Sequence, residues 1–347
     1  MTLQVTTLAD LGWSAQFMSQ LSLDELECLR PLRVVAVQRA RATGLGPDGP
    51  QRLFFPPTIS AGDVAVGDWV LTEPDTGLIV RTLDRNSEIG RRAVSDENRR
   101  QLIAANVDTL FIVTSCNSDF NVARLERYLA VAIEAGCAAV VVLTRADTIA
   151  DPGALETEAR AISSRFADVV ALDARDPDAL SRLSPWLGRG RTVAFVGSSG
   201  VGKSTLISGL TGERLATQAI REDDSKGRHT TSARTMYLTS AGALVIDTPG
   251  MRELGLQNVA EGIRGVFEDI VALTGDCRFR DCRHDTEPGC ALRSAVRSGA
   301  LDADRLERWR KLMIEDERNT ETEHERRART RRFGRVVKVA LDLKKRT

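Results

Sequence analysis

The stretch TVAFVGSSGVGKST, residues 192–205, decides the fold. Five strand-like residues, four of them apolar, run into a glycine-rich turn and then into a segment with helical character. Gly197, Ser198, Ser199, Gly200, Val201, Gly202, Lys203 and Ser204 fit the pattern G-x-x-x-x-G-K-[ST] in the strand-to-helix setting that it requires. The glycines let backbone N–H groups fold around phosphate oxygens, and the start of the helix adds a favourable dipole. Lys203 is expected to reach the β- and γ-phosphates, with the Ser204 hydroxyl on Mg²⁺ and Thr205 next to it. A plain glycine turn with a surface lysine is the alternative, and the motif with its flanks rejects it.

Working outward, VDTLFIVTS (107–115), CAAVVVLTR (137–145) and DVVALDA (168–174) are near-continuous apolar strands. NVARLERYLAVAIEAG (121–136) has helical spacing through Val122, Leu125, Leu129 and Ala132, and ALETEARAISSRF (154–166) reads as a second helix. MYLTSAGALVIDTPG (236–250) adds two strands across a turn at Ala241–Gly242. This alternation predicts a parallel α/β sheet covered on both faces. At the end of its strand Asp247 can hold Mg²⁺ through water, and Gly250 can offer its N–H to a γ-phosphate. The polar segment 221–234 between them reads as a loop in which Thr230 or Thr231 completes the Mg²⁺ shell.

Guanine specificity needs a carboxylate that accepts from N1–H and the 2-amino group. Ras-like proteins supply it from Asn-Lys-x-Asp after the phosphate loop, and nothing beyond Asp247 fits. Thr144, Arg145, Ala146 and Asp147 do fit at a strand end, but they precede the loop. An Asp at such a turn is also a common helix cap. A circular permutation would change the connectivity and keep the site. ALDARD (171–176) then takes the place of the second base loop, with Asp173 in it and the Ala174 N–H as donor to guanine O6. Met251 stands where Ras-like proteins carry a water-orienting Gln. A thioether orients water poorly, so a slow enzyme is expected, with its catalytic residue unassigned.

The flanks differ in character. Residues 32–83 hold short β-like runs separated by Gly and Pro clusters, which suggests a small β-barrel, the oligonucleotide-binding type among the candidates. Residues 1–30 offer only a weakly amphipathic segment through Leu21, Leu23, Leu26 and Leu29. Of six cysteines, Cys28, Cys116 and Cys137 read as buried small hydrophobes. Cys277, Cys282, His284 and Cys290 instead supply three thiolates and one imidazole, the ligand set of a closed structural Zn²⁺ site. Residues 326–347 carry ten Lys or Arg against a single acid, Asp342, and read either as a solvated end or as a nucleic-acid arm. Forty-eight basic residues balance forty-eight acidic ones, so net charge points to no polyanionic partner. The longest apolar run, Cys137 to Leu143, is far short of a bilayer span, and the start MTLQVTTLADLGW lacks the pattern of a secretory signal. No membrane partner is expected.

These motifs resemble one family, the circularly permuted GTPases of the small ribosomal subunit known as RsgA or YjeQ. The likeness runs from VGDWV (66–70), AANVD (104–108) and DFNVARLERYL (119–129) through the phosphate loop, GRHTT (227–231) and DTPGMRELG (247–255) to CRFRDCRHDTEPGCAL (277–292). It implies an α/β multi-domain chain: an OB-fold barrel within 1–100, a permuted P-loop GTPase domain over 101–255, and an α-helical zinc domain with a basic tail over 256–347. It further implies a cytoplasmic monomer that binds GTP and GDP, with Mg²⁺ and one structural Zn²⁺. Small ribosomal subunits and their rRNA would be its partners, stimulating hydrolysis during late maturation. Two other classes compete: a GTP or ppGpp switch with incidental hydrolysis, and a GTPase that hands on a metal. The chain departs from the family at Thr144 for Asn, Arg145 for Lys, Asp173 for Ser, and Asn258 where some members carry His.

Overall fold

Apolar runs that tolerate water on neither side set the centre of the molecule. The computed structural model describes residues 7–38, 41–92, 100–117, 119–212, 234–247, 256 and 258–320. In chain order they form α1 (Ala15–Met18), α2 (Leu23–Cys28), β1 (Arg30–Gln38), β2 (Arg41–Gly46), β3 (Gly49–Leu53), β4 (Trp69–Thr72), β5 (Ile79–Thr82), β6 (Glu88–Arg92), β7 (Arg100–Ala105) and β8 (Thr109–Ser115). There follow α3 (Val122–Ala135), β9 (Ala138–Thr144), α4 (Pro152–Ile162), β10 (Asp168–Ala171), α5 (Pro177–Leu180), β11 (Thr192–Val196), α6 (Lys203–Thr211), β12 (Arg234–Leu238) and β13 (Leu244–Asp247). Helices α7 (Ala260–Val266), α8 (Glu268–Thr274), α9 (Ala291–Ser298) and α10 (Ala303–Thr320) end the described chain.

Strands β10, β9, β8, β11 and β13 lie in that order and run parallel. β8 and β11 are buried throughout. One face packs on α3 through Leu125 and Leu129, and the other carries Phe111, Phe195 and Leu206 of α6. The chain first walks outward from β8 to β10 and then returns to place β11 on the other side of β8. Strand order therefore reverses between β8 and β11, and in open α/β sheets the crevice at such a point is where ligands bind. The phosphate loop leaves β11 there, with Thr144 at the end of β9 beyond β8. β12 returns antiparallel to β13 across a turn where Gly242 has φ +84°, as the sequence predicts.

The N-terminal strands form a ring. β1 pairs antiparallel with both β2 and β4, β2 pairs with β3, and β4 with β5. A parallel bridge between Phe54 and Leu78 joins the ends around a core of Leu32, Val34, Leu53, Val64, Val70 and Ile79. A register shift between Val34 and Ala36 turns β1 so that its last residues meet β12, Ala36 opposite Thr235 and Val37 opposite Arg234. Ring and α/β sheet are one hydrogen-bonded surface.

The segments VGDWV and AANVD meet at this joint. Gly67 has φ +96°, and a Cβ there would lie 2.0 Å from the Ala105 carbonyl oxygen. The Asn106 amide donates to Gly67 O at 2.9 Å and its oxygen accepts from Asn86 N at 2.8 Å. Arg33, wholly buried, donates to Leu11 O at 3.3 Å and to Asn106 O and Thr192 Oγ1 at 3.1 Å, with its guanidinium over Trp69.

One expectation fails. Cys28 is exposed, whereas Cys116 and Cys137 are buried. Helix α2 buries none of its residues; the Ser22–Glu25 capping box and the Arg81–Glu25 ion pair at 2.7 Å hold it instead of an apolar face. No described helix is long and apolar enough to cross a membrane.

The C-terminal helices dock on α3. The buried carboxylate of Glu126 is gripped by Arg305 at 3.2 Å and Arg308 at 2.8 Å. Where α7 crosses α3, a Cβ on Gly262 would lie 2.0 Å from Ala130 O, whereas one on Gly265 would meet side chains alone, Ile133 at 3.2 Å and Arg165 at 3.9 Å. Gly262→Ala should therefore destabilise the full chain by roughly 2 kcal/mol in denaturant unfolding, as overpacking against backbone does. Gly265→Ala should cost less than half as much, because helix propensity offsets a soft contact.

Candidate nucleotide site and Cys3His centre

The phosphate loop is a backbone that only glycine can follow at its key points. Gly197, Gly200 and Gly202 have φ of +143°, +78° and +102°. At Gly197 a Cβ would lie 2.0 Å from Val113 O, so the loop presses directly on β8. Lys203 folds back to donate to Gly197 O at 2.7 Å and to Ser198 O. Ser204 and Thr205 are half-buried in the first turn of α6. Ala194 of β11 pairs with Ile246 of β13, so Asp247 ends its strand beside the loop.

Thr144 and Arg145 grip the same loop from the other side. Thr144 is buried, and its hydroxyl lies 2.6 Å from Val201 O and 3.2 Å from Thr114 O. Arg145, at φ +58°, reaches Gly200 O at 2.8 Å. Asp147 follows in a short 3₁₀ turn over Ala146–Thr148, where Ala146 N donates to Leu172 O at 3.3 Å. That bond brings the turn against Asp173 and the buried Ala174 of the second base segment. The hydrogen bonds from Arg175 hold the Asp173 carboxyl below the usual carboxylate range.

The geometry thus brings together the loop residues 197–205, Thr144, Arg145, Ala146, Asp147, Asp173, Ala174 and Asp247 at one end of the sheet. Thr230, Thr231, Gly250 and Met251 lie outside the described residues. Asn258 is engaged elsewhere, at the end of α10, where its N–H donates to Thr320 Oγ1 at 3.0 Å. Arg124 is a residue that motif reading passed over. It donates to Ser198 Oγ of the phosphate loop and pairs with Asp119 at 2.6 Å. Its spacing within α3 marks it only as a polar helix position; the contact exists because the N-terminus of α3 faces the loop.

A second centre lies far along the chain. One ligand atom from each of Cys277, Cys282, His284 and Cys290 falls within 4.8 Å of the others. His284 Nδ1 is 3.5 Å from Cys277 Sγ and 3.7 Å from Cys290 Sγ. Glu287 shapes the loop by accepting from the backbone N–H of Arg283, Asp285 and Thr286. The loop is fastened to α10 through Arg310, which donates to His284 O, and through Trp309, edge-on to the imidazole. Such a set can hold a metal ion.

Residues 82–257 match the family model described as RsgA GTPase. "Small ribosomal subunit biogenesis GTPase RsgA" of Mesorhizobium japonicum is 51% identical over 318 residues, 90% of this chain and 91% of that protein. "Small ribosomal subunit biogenesis GTPase RsgA 2" of Vibrio vulnificus is 45% identical over 336 residues, 96% of this chain and 95% of its own length. The crystal structure of YjeQ from Thermotoga maritima superposes with TM-score 0.58 at 24% identity, covering 83% of this chain and 98% of that one. That of YloQ, a circularly permuted GTPase, gives 0.56 at 22%, covering 85% and 97%. At these identities the two structures speak for the fold.

The grip on the loop can be tested through one hydroxyl. Thr144→Val keeps the shape and leaves the Val201 and Thr114 carbonyls without that donor. Nucleotide affinity should fall about tenfold, the effect of one buried hydrogen bond. Thr144→Asn, which keeps a donor, should lose less in the same titration.

Proposed function

The chain belongs to the RsgA GTPase family, and from that premise we propose how its residues divide the work. It is a GTPase of small-ribosomal-subunit biogenesis. Hydrolysis takes place on the subunit during late maturation and is stimulated by it. The observation that carries this reading is the crevice itself, where one loop rich in backbone donors is held by Thr144 and Arg145 next to the carboxylate of Asp147.

Backbone N–H groups of 197–202 cradle the phosphates, and Lys203 exchanges its carbonyl partners for β- and γ-phosphate oxygens. Ser204, Thr231 and Asp247 would hold Mg²⁺, which would supply charge neutralisation at the phosphates. A hydroxyl opening a helix and a carboxylate ending the neighbouring strand suit a hard, oxygen-preferring cation. Asp147 accepts from guanine N1–H and the 2-amino group, and the Ala174 N–H donates to O6. Thr144 and Arg145 reach the loop as an Asn and Lys pair would, so guanine remains the expected base. Gly250, outside the described residues, would offer its N–H to the γ-phosphate. With Met251 in place of a water-orienting Gln, contact with the subunit completes the geometry for attack.

The Cys3His centre fits structural zinc. Tetrahedral bonds of about 2.3 Å to sulfur and about 2.0 Å to nitrogen put neighbouring ligand atoms roughly 3.5–3.8 Å apart. The two Sγ to Nδ1 separations, 3.5 and 3.7 Å, match. The ion would fasten a loop with little apolar core of its own. In this reading 1–100 is an OB-type barrel for rRNA, 101–255 the permuted GTPase core and 256–347 the zinc module. The basic segment 326–347, outside the described residues, adds charge toward rRNA. The protein works as a cytoplasmic monomer.

Two outcomes are expected. Purified small subunits should raise GTP turnover at least tenfold over the basal rate; a Lys203→Ala chain should stay inactive with and without them while keeping its circular dichroism. Equal turnover of wild type with and without subunits would overturn the stimulation. Elemental analysis of protein prepared without chelator should give one zinc per chain, and Cys282→Ser should reduce it well below one.

A further inference from the structure

The acceptor side of Asp147 is not open to solvent alone. Arg175, two residues beyond Asp173 in the second base segment, places one terminal guanidinium nitrogen 2.6 Å from Asp147 Oδ2. The same nitrogen lies 3.1 Å from Asp173 Oδ2, and Arg175 Nε lies 3.0 Å from Asp173 Oδ1. Asp173 therefore holds Arg175 in a two-point grip and aims it at Asp147. Asp173 also accepts from the Arg175 backbone N–H at 3.0 Å, which fixes the turn that carries both residues. An Asp where the family commonly has Ser thus has a definite task.

A guanidinium is planar and presents N–H donors on either side of one carbon. The edge of guanine that a carboxylate reads, N1–H and the 2-amino group around C2, has the same arrangement. Arg175 puts one such donor, a terminal N–H, on the Asp147 carboxylate, in the place that a donor of the base would take, while its fork faces Asp173.

We propose that Arg175 is an internal competitor for the guanine site, held on Asp147 by Asp173 and displaced when the base binds, so that it sets the affinity for guanine nucleotides. This rests on Asp147 being the base-reading carboxylate of the proposed function. Side-chain exposure bounds the effect: Arg175 is 69% and Asp147 39% exposed. An ion pair that open is screened by water and moves readily, so its removal is worth about two- to fivefold in affinity rather than orders of magnitude.

The test is equilibrium titration of the full chain with GDP and Mg²⁺ at low salt. Arg175→Met should tighten GDP about two- to fivefold, and Asp173→Ser should shift it in the same direction. Tripolyphosphate and ADP, which do not present that edge, should bind both variants as they bind the wild type. The gain should shrink toward none in ~0.5 M salt, where the ion pair is screened. In an Asp147→Asn background titrated with XDP, Arg175→Met should give no gain. Unchanged GDP affinity in Arg175→Met at low salt would overturn the proposal; weaker binding would also overturn it and make Arg175 a base contact. A gain shared equally by tripolyphosphate would assign the effect to bulk charge and overturn it too. Failure of the underlying reading is separately visible: a wild-type chain that binds ADP as tightly as GDP, or an Asp147→Ala chain that retains GDP affinity, refutes the role of Asp147 whatever Arg175 does.

Discussion

Arg33 is the constraint around which the molecule is assembled. A guanidinium without access to water is costly, and this one is held by two backbone carbonyls and a hydroxyl. Burial pushes its pKa down to about 10, while Asp68 and Asp108 pull it up through space, so it stays charged at neutral pH. Its three oxygens come from the N-terminal segment (Leu11), the link out of β7 (Asn106) and the start of β11 (Thr192). None of these can shift without stranding a buried charge. Because β11 runs straight into the phosphate loop, the same residue that ties the ring to the sheet also anchors the strand that presents the nucleotide site.

The nucleotide site follows the same logic on a smaller scale. Two of the loop's carbonyls are held from the end of β9, Gly200 by Arg145 and Val201 by Thr144. A hydroxyl and a guanidinium do this in place of the carboxamide and ammonium familiar from Ras-like sequences. What the site requires at 144 is a donor of short reach buried between two carbonyls. What it requires at 145 is a long cation that crosses to Gly200. Asp147, the carboxylate proposed to read the base, follows two residues later whichever side chains meet those needs.

Much of this was legible in the sequence where the determinants are local. The phosphate loop, the apolar strands and the β12–β13 hairpin are set by neighbours within a dozen residues. The cysteine cluster is likewise set by residues close in the chain. Four strands of the ring were legible, but not β2 (Arg41–Gly46), which runs into a Gly and Pro cluster that reads as a turn, nor the bridge from Phe54 to Leu78 that joins the ends, because nothing local encodes which ends meet. Cys28 misled because an apolar-looking segment can be held by caps and an ion pair. Arg124 and Arg175 escaped for another reason: each matters through a partner, Ser198 or Asp147, that lies 74 and 28 residues away. A charged side chain in a polar segment carries no signal of its direction until the turn that aims it is known.

The pairing of β1 with β12 has a further meaning for how the chain can be divided. Two bodies joined by a linker can be cut apart and leave intact surfaces. Here a cut strips the last residues of β1 and the first of β12 of their partners, Ala36 and Val37 on one side and Arg234 and Thr235 on the other, and unpaired N–H and C=O groups at a sheet edge are a template for foreign strands. The α/β portion without the ring would present the β12 edge, and the ring without its neighbour the last residues of β1. The two halves of the sheet therefore shield one another from aggregation, a service separate from any part either plays with nucleotide or RNA.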